Sequence, residues 1–136
     1  MVRFVAAFAG AIILASPALA DPPRHDNILT TLDQFMIARS VSAKCGRADA
    51  ATAASFQRHY RQVAEEATGA LKDLSSDLTR AHIEKVMADH YSEIDHRVTA
   101  IVAQESCDGL HIKEALQKYD SVANLTEPQL LANKNN

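Results

Sequence analysis

Residues that interrupt helices are scarce in this sequence. Between positions 24 and 127 there is no proline, and glycine occurs there at positions 46, 69 and 109 alone. Strands are joined by frequent turns, and turns recruit glycine, proline, asparagine and aspartate. So little glycine and proline over so long a stretch excludes a mainly β fold. The same stretch is rich in alanine, leucine, glutamate, glutamine, lysine and arginine, so we expect an all-α protein.

Other absences narrow the range of functions. Fourteen Lys and Arg stand against 17 Asp and Glu, and no basic stripe is interleaved with aromatic residues, so nucleic acid is not an expected partner. The sequence has no Gly-x-Ser-x-Gly motif, no glycine-rich phosphate loop and no Cys-x-x-Cys-His motif, so we expect neither an enzyme nor covalently attached haem. With 136 residues, of which 47% are hydrophobic, the chain suits one folded domain.

Residues 1–20 have the pattern of a cleaved signal peptide. Arg3 precedes a run of Ala, Val, Phe, Gly, Ile and Leu from Phe4 to Ala15, and Ala18-Leu19-Ala20 supplies the small–x–small pattern of a cleavage site. The alternative is a membrane anchor, but the apolar run is shorter than the ~20 residues that span a bilayer. We expect cleavage after Ala20, a periplasmic or secreted protein, and no membrane insertion after cleavage.

Apolar residues recur at helical spacing in four segments. We predict helices at about 26–43, 49–74, 77–105 and 108–122, within a single helical domain of residues 21–127 that is followed by a flexible tail at 128–136. Asp49 is the expected N-cap of the second helix, and Ser75-Ser76 is the expected break and cap before the third. The apolar stripe of the first helix includes Arg39. Short connections favour an antiparallel up-down-up-down four-helix bundle.

The two cysteines provide a test of this topology. Cys45 lies between the first two predicted helices and Cys107 between the last two. In an up-down-up-down bundle these connections share one end, and an exported protein folds in an oxidising compartment, so we predict a Cys45–Cys107 disulfide. A redox-active pair would usually have Cys-x-x-Cys spacing. An intermolecular bridge or two free thiols would also be compatible with the sequence.

The third predicted helix carries the best candidates for a metal site. His82, Asp89, Glu93 and His96 fall beside its apolar stripe, and the last three are spaced i, i+4, i+7. Imidazole and carboxylate ligands suit Zn²⁺ or another divalent transition metal. The alternative is a solvated face whose carboxylates pair with Lys and Arg four residues away. Apart from such a metal, no cofactor is expected.

Two further histidines are candidates for pH sensing. His90 falls within the apolar stripe of the third helix, and His59 flanks the stripe of the second. A buried neutral imidazole gains charge as the pH falls, which destabilises a fold or an interface. The alternative for His90 is a core histidine with one hydrogen bond. Met36 and His111 could meet at the disulfide end of the bundle as a Met/His haem pair, but a methionine in a helix is usually a core residue, so haem is not expected.

These patterns indicate a small exported helical binding protein without catalytic activity. Its expected partner is another protein, as for a chaperone, an inhibitor or an immunity protein, and a homo-oligomer is compatible with the sequence. The alternative is a periplasmic protein that binds a metal or cofactor through the His/carboxylate face of the third helix.

Overall fold

The computed structural model describes residues 24–46 and 48–126, which form four α-helices. These are α1 (Arg24–Cys45), α2 (Ala50–Leu74), α3 (Arg80–Glu105) and α4 (Leu110–Ala123). The predicted signal peptide (1–20) and tail (128–136) lie outside the described residues. The described ranges contain no strand, and none of their helices has an apolar stretch of the length that a membrane span needs. The prediction of an all-α protein is confirmed.

Local capping decides where α2 and α3 begin. Asp49 is the N-cap of α2, as predicted, because its carboxylate accepts a hydrogen bond from the backbone N–H of Thr52 at 2.8 Å. That bond holds the pKa of Asp49 below its ordinary value. The third helix begins three residues later than predicted, since the hydroxyl of Thr79 accepts from the backbone N–H of His82 and makes Thr79 the N-cap in place of Ser76.

The directions of the helices follow from the contacts between them. Contacting pairs of α1 and α3 rise together in residue number, so these two helices run in the same direction. The pairs are Asp33–His90 and Ser40–Asp95, and the disulfide from Cys45 to Cys107, just after the end of α3, continues the series. Because α1 and α3 end side by side at the disulfide, α2 and α4 both start from that end. The chain is therefore an up-down-up-down four-helix bundle with one disulfide, as predicted.

The first helix is the central element of the bundle. It packs against each of the other three helices, and α2 packs against α4, whereas α3 has less contact with α2 and with α4. Buried side chains occupy more than one side of α1: Leu32, Phe35, Met36, Ala38, Ser40 and Val41. The third helix buries a much narrower set: Ile83, Ile94 and Val98. The core thus lies mainly among α1, α2 and α4, with α3 along one side of α1.

An aromatic cluster joins three of the helices. Phe56 of α2 is 1% exposed, and its ring stacks on Tyr119 of α4 with 4.0 Å between centroids. Phe35 of α1 lies 5.7 Å from the Phe56 ring, and Tyr60 lies 6.4 Å away on the next turn of α2. Stacked pairs of this kind contribute about 0.5–1.5 kcal/mol beyond the burial of their area. Phe56 is therefore the residue on which the packing of α1, α2 and α4 converges.

Side chains of α2 close the C-terminal end of α4. The hydroxyl of Ser55 donates to the carbonyl oxygen of Ala123 at 2.6 Å, and Nδ1 of His59 donates to that of Val122 at 2.8 Å. The last carbonyl groups of a helix have no partner within the helix, and Ser55 supplies one for Ala123. The carbonyl of Val122 accepts from His59 in addition to the backbone N–H of Leu125. His59 is 1% exposed, and its proton lies on Nδ1 because a carbonyl oxygen can only accept.

The predicted disulfide is confirmed. Cys45 and Cys107 are bonded, with 5.4 Å between their Cα atoms and 62 residues between them in sequence. The bond joins the last residue of α1 to the segment that follows α3. It therefore ties the peripheral helix to the central one at the end where their packing finishes.

Replacing Phe56 with alanine should destabilise the bundle strongly. The change removes a buried ring that contacts three other aromatic rings, and such truncations cost about 3–5 kcal/mol. Urea unfolding followed by circular dichroism measures the loss. Leu74→Ala is the matched control, because Leu74 is 59% exposed and its truncation should change the free energy of unfolding by less than about 0.5 kcal/mol. Equal effects of the two substitutions would contradict the assigned core.

Removing the disulfide should cost about 4 kcal/mol in the chain-entropy model, because the closed loop is long. The variant is Cys45→Ser with Cys107→Ser, compared with the oxidised protein by urea unfolding. We expect the helical circular dichroism signal in water to persist, since the bond lies at one end of the bundle. A midpoint unchanged by the double substitution would show that the bond does not stabilise the fold.

Candidate functional site

The four residues predicted to bind a metal lie on the solvent side of α3. His82, Asp89, Glu93 and His96 are all exposed, and the carboxylate of Asp89 binds Nζ of Lys85 at 2.6 Å. In residues 24–46 and 48–126, no group of three His, Cys, Asp or Glu side chains is placed so that it could hold an ion. The structure therefore does not bring these four residues together as a metal centre. The Lys85–Asp89 pair is the feature expected of a solvated helix face.

The two histidines predicted to sense pH have different surroundings from those expected. His59 is buried in the core, whereas Nε2 of His90 lies 2.7 Å from Oδ1 of Asp33 at a half-exposed boundary between α1 and α3. The expectation that His90 is a core residue is wrong. The buried stripe of α3 is narrow, so the positions between Ile83 and Ile94 reach its edge. A pH-sensing role for either histidine stays a prediction.

The two candidates for a haem pair have unlike environments. Met36 is 1% exposed in the core, whereas the side chain of His111 is 70% exposed. Nδ1 of His111 lies 2.7 Å from the carboxylate of Glu105, and this hydrogen bond raises the pKa of His111 above its ordinary value. His111 thus links the end of α3 to the start of α4.

Besides the contact between His90 and Asp33, a polar contact of Asp95 holds α3 against α1. Oδ1 of Asp95 accepts hydrogen bonds from the hydroxyl of Ser40 and from Nζ of Lys44, each at 2.6 Å. Ser40 is fully buried, so this carboxylate supplies the acceptor that its hydroxyl needs. The hydrogen bond from Lys44 is the largest cause that holds the pKa of Asp95 below its ordinary value of 3.8. Sequence patterns do not reveal this contact, because its members are 55 and 51 residues apart.

A groove of about 330 Å³ lies between α2 and α3, with α1 as its floor. It follows from the packing, since α2 and α3 both contact α1 but have little contact with each other. Its inner surface is largely aromatic and aliphatic: Met36, Tyr60, Ala64, Met87, Ala88 and Tyr91. The hydroxyl of Thr68, which also lines it, donates to the carbonyl of Ala64 at 2.8 Å. Concave, mainly apolar surfaces with a few polar groups are where proteins bind ligands.

Arg39 lies on the floor of this groove between two tyrosine rings. Its guanidinium carbon is 4.9 Å from the centroid of Tyr60 on α2 and 5.0 Å from that of Tyr91 on α3. Burial raises the pKa of the Tyr91 phenol above its ordinary value of 10.0, so its hydroxyl keeps its proton. Within the described residues, the guanidinium of Arg39 makes no hydrogen bond or ion pair. The one sequence signal for this site is an arginine inside an apolar stripe.

The opposite part of the groove carries a cluster of three charges. Arg80 at the start of α3 binds Glu84 at 2.8 Å and Glu65 of α2 at 2.6 Å. The pair with Glu84 joins residues i and i+4 of α3, whereas the pair with Glu65 crosses the groove to α2. One guanidinium faces two carboxylates, so this end is negative while the Arg39 region is positive.

Comparison with known proteins gives no relative. No protein-family model matches the chain, and neither curated proteins nor solved structures contain a significant match. The function is therefore inferred from the groove itself.

The Asp95 contact predicts a pH dependence of stability. Because its pKa is lower in the folded protein, its contribution is fully present above about pH 3.8 and is lost as the pH falls through the lowered pKa. Asp95→Asn should lower the free energy of unfolding at neutral pH by about 1 kcal/mol or less, as for other exposed ion pairs. Chemical unfolding at a series of pH values should show the difference from the wild type shrinking below pH 3.8.

Asp77→Asn is the control for this experiment, because Asp77 is exposed and makes no ion pair with the described residues. This variant should match the wild type across the same range. A difference between Asp95→Asn and the wild type that stays constant with pH would show that the charge of Asp95 does not contribute.

Proposed function

We propose that this chain is a small exported binding protein without catalytic activity, which engages a segment of another protein in the groove between α2 and α3. The observation that carries the proposal is the groove itself. It is lined by two methionines, two tyrosines and Arg39. Arg39 contacts both tyrosine rings and has no carboxylate partner among the described residues. Tyrosine, methionine and arginine are the residue types enriched at protein interfaces.

The disulfide supports the proposed location. Such bonds form and persist in oxidising compartments, and the Cys45–Cys107 bond joins two helices of this protein. Residues 1–20 supply the signal-peptide pattern that export requires. Together they favour the periplasm or the exterior of the cell, where a chaperone-, inhibitor- or immunity-like protein would meet its partner.

Metal binding has no comparable support. In the described part of the chain the candidate ligands of α3 are exposed and do not converge, and one of them, Asp89, is already paired. The exposed Glu93 and His96 lie on the side of α3 away from the groove lining. The groove is therefore the better candidate for the binding surface.

Filling the groove should weaken binding without unfolding the protein. Ala88 is an exposed residue of α3 that lines the groove, so Ala88→Lys places a long charged side chain in it at little cost to the helix. Peptides selected from a random display library on the wild-type protein should bind this variant at least about tenfold more weakly, measured by calorimetry, because an ammonium group must then be displaced or desolvated.

Ala100→Lys is the matched control, since Ala100 is an exposed residue of the same helix outside the groove lining. It should bind the same peptides as the wild type does. The proposal fails if the library yields no binding peptide, or if the two lysine variants weaken binding equally.

A further inference from the structure

We propose that Arg39 determines the specificity of the groove by receiving the side-chain carboxylate of an aspartate or glutamate in an otherwise apolar segment of the partner protein. This inference rests on the proposed function and names the chemistry of the bound segment. The contacts of Arg39, the charges around it and the walls of the groove each support it.

Among the described residues, the guanidinium of Arg39 contacts two tyrosine rings and no hydrogen-bond acceptor. An arginine presents five N–H donors in the plane of the guanidinium, and that plane can stack on aromatic rings. Both ring centroids lie within about 5 Å of the Arg39 guanidinium carbon. The two rings hold the group in place, and its donors make no hydrogen bond to the described residues. A carboxylate is the acceptor that matches two parallel N–H groups.

The carboxylates nearest to the groove are already engaged. Asp95, which acts electrostatically on Tyr91, accepts hydrogen bonds from Ser40 and Lys44. Glu65 and Glu84 both bind Arg80. Glu65 and Glu84 share one guanidinium, so that end of the groove keeps an excess negative charge, whereas the positive charge of Arg39 has no carboxylate partner in the described part of the chain. An incoming carboxylate supplies the missing counter-charge.

The walls of the groove account for the apolar part of the segment. The side chains of Met87 and Ala88 on α3 and Ala64 on α2 flank the floor, so flanking apolar residues of a bound peptide would remove their surface from water. Displacing water also strengthens the interaction between the carboxylate and Arg39 by lowering the local dielectric. A second acidic residue is disfavoured at the end where two glutamates face one arginine.

The competing explanation is that Arg39 only holds α1, α2 and α3 together through its two ring contacts. Loss of stability on mutation does not separate the two explanations, because both predict it. Ligand selectivity does separate them. The decisive variant is Arg39→Gln, with Arg61→Gln as the control, since Arg61 is exposed on α2 and outside the groove lining.

The experiment begins with a random peptide library displayed without free C-termini and selected on the full chain, wild type and variants. Wild type and Arg61→Gln should enrich peptides with one Asp or Glu among apolar residues, and Arg39→Gln should lose that preference. A selected peptide is then synthesised with both ends capped, and its acidic residue is replaced by the matching amide. Calorimetry should show that the wild type binds the amide peptide about tenfold more weakly than the acidic peptide. Arg39→Gln should bind the two peptides with equal affinity.

Two additional measurements keep the result interpretable. Thermal unfolding checks that Arg39→Gln is folded at the temperature of the binding assay, and Arg39→Lys, which keeps the charge but not the planar fork, should recover part of the preference. Sedimentation over a wide concentration range tests whether a second copy of this chain occupies the groove. Self-association that Arg39→Gln abolishes would overturn the assignment of a different partner protein.

The outcomes separate this inference from the proposed function. If no peptide is enriched, the groove is not a protein-binding site, and both proposals fail. If peptides are enriched without an acidic residue, or if the amide peptide loses as much affinity on Arg39→Gln as on wild type, only the role of Arg39 fails. A preference that requires a free C-terminal carboxylate would also overturn it, because the inference assigns a side-chain carboxylate.

Discussion

The central position of α1 is the constraint on which the rest of the structure depends. A helix in a symmetric bundle buries one stripe, but α1 packs against all three other helices and buries residues on several sides. Its three neighbours pack against one another unequally. The second and fourth helices meet over Phe56 and Tyr119, while α3 lies against α1 and leaves a gap towards α2. The groove is a direct result of this unequal packing.

Polar contacts help to determine the position of α3, which buries few hydrophobic residues. Three of its residues are buried, so its position depends also on the links of His90 to Asp33 and of Asp95 to Ser40 and Lys44. Such contacts are directional, and they fix both the rotation and the height of α3 along α1. That rotation points Tyr91 towards Arg39 and so completes the pair of rings around it. The bonds that stabilise the periphery of the fold thereby also shape the candidate site.

Much of the architecture could be predicted from the sequence. The absence of proline and the spacing of apolar residues predicted the four helices. The positions of the two cysteines, between successive helices, predicted the disulfide and agreed with alternating helix directions. The arrangement of the helices could not be read in this way, because Ala38 and Ser40 are buried on α1 although neither is strongly hydrophobic. The width of each helix's buried surface was also hidden: α3 buries a narrow stripe, so His90 lies at the edge of the core although its spacing fits the stripe.

The candidate site was harder to predict than the fold. Metal-ligand spacing on α3 indicated residues that the structure leaves in solvent, since spacing along one helix says nothing about convergence with another. Arg39, Tyr60 and Tyr91 come from three helices, and each has the spacing of an ordinary stripe position. An arginine within an apolar stripe was the visible irregularity. Its meaning depended on which aromatic residues the tertiary packing placed on either side.

The bonds from Ser55 and His59 to the end of α4 have a consequence for how the chain can be divided. Without α4, a buried imidazole N–H would lose its acceptor and one face of the Phe56 ring would lose its cover. Unpaired buried donors and exposed aromatic surface both disfavour folding. The three longer helices are therefore not a self-sufficient module to which a short fourth helix was appended. Shortening, fusing or circularly permuting this protein has to preserve all four helices as one cooperative unit.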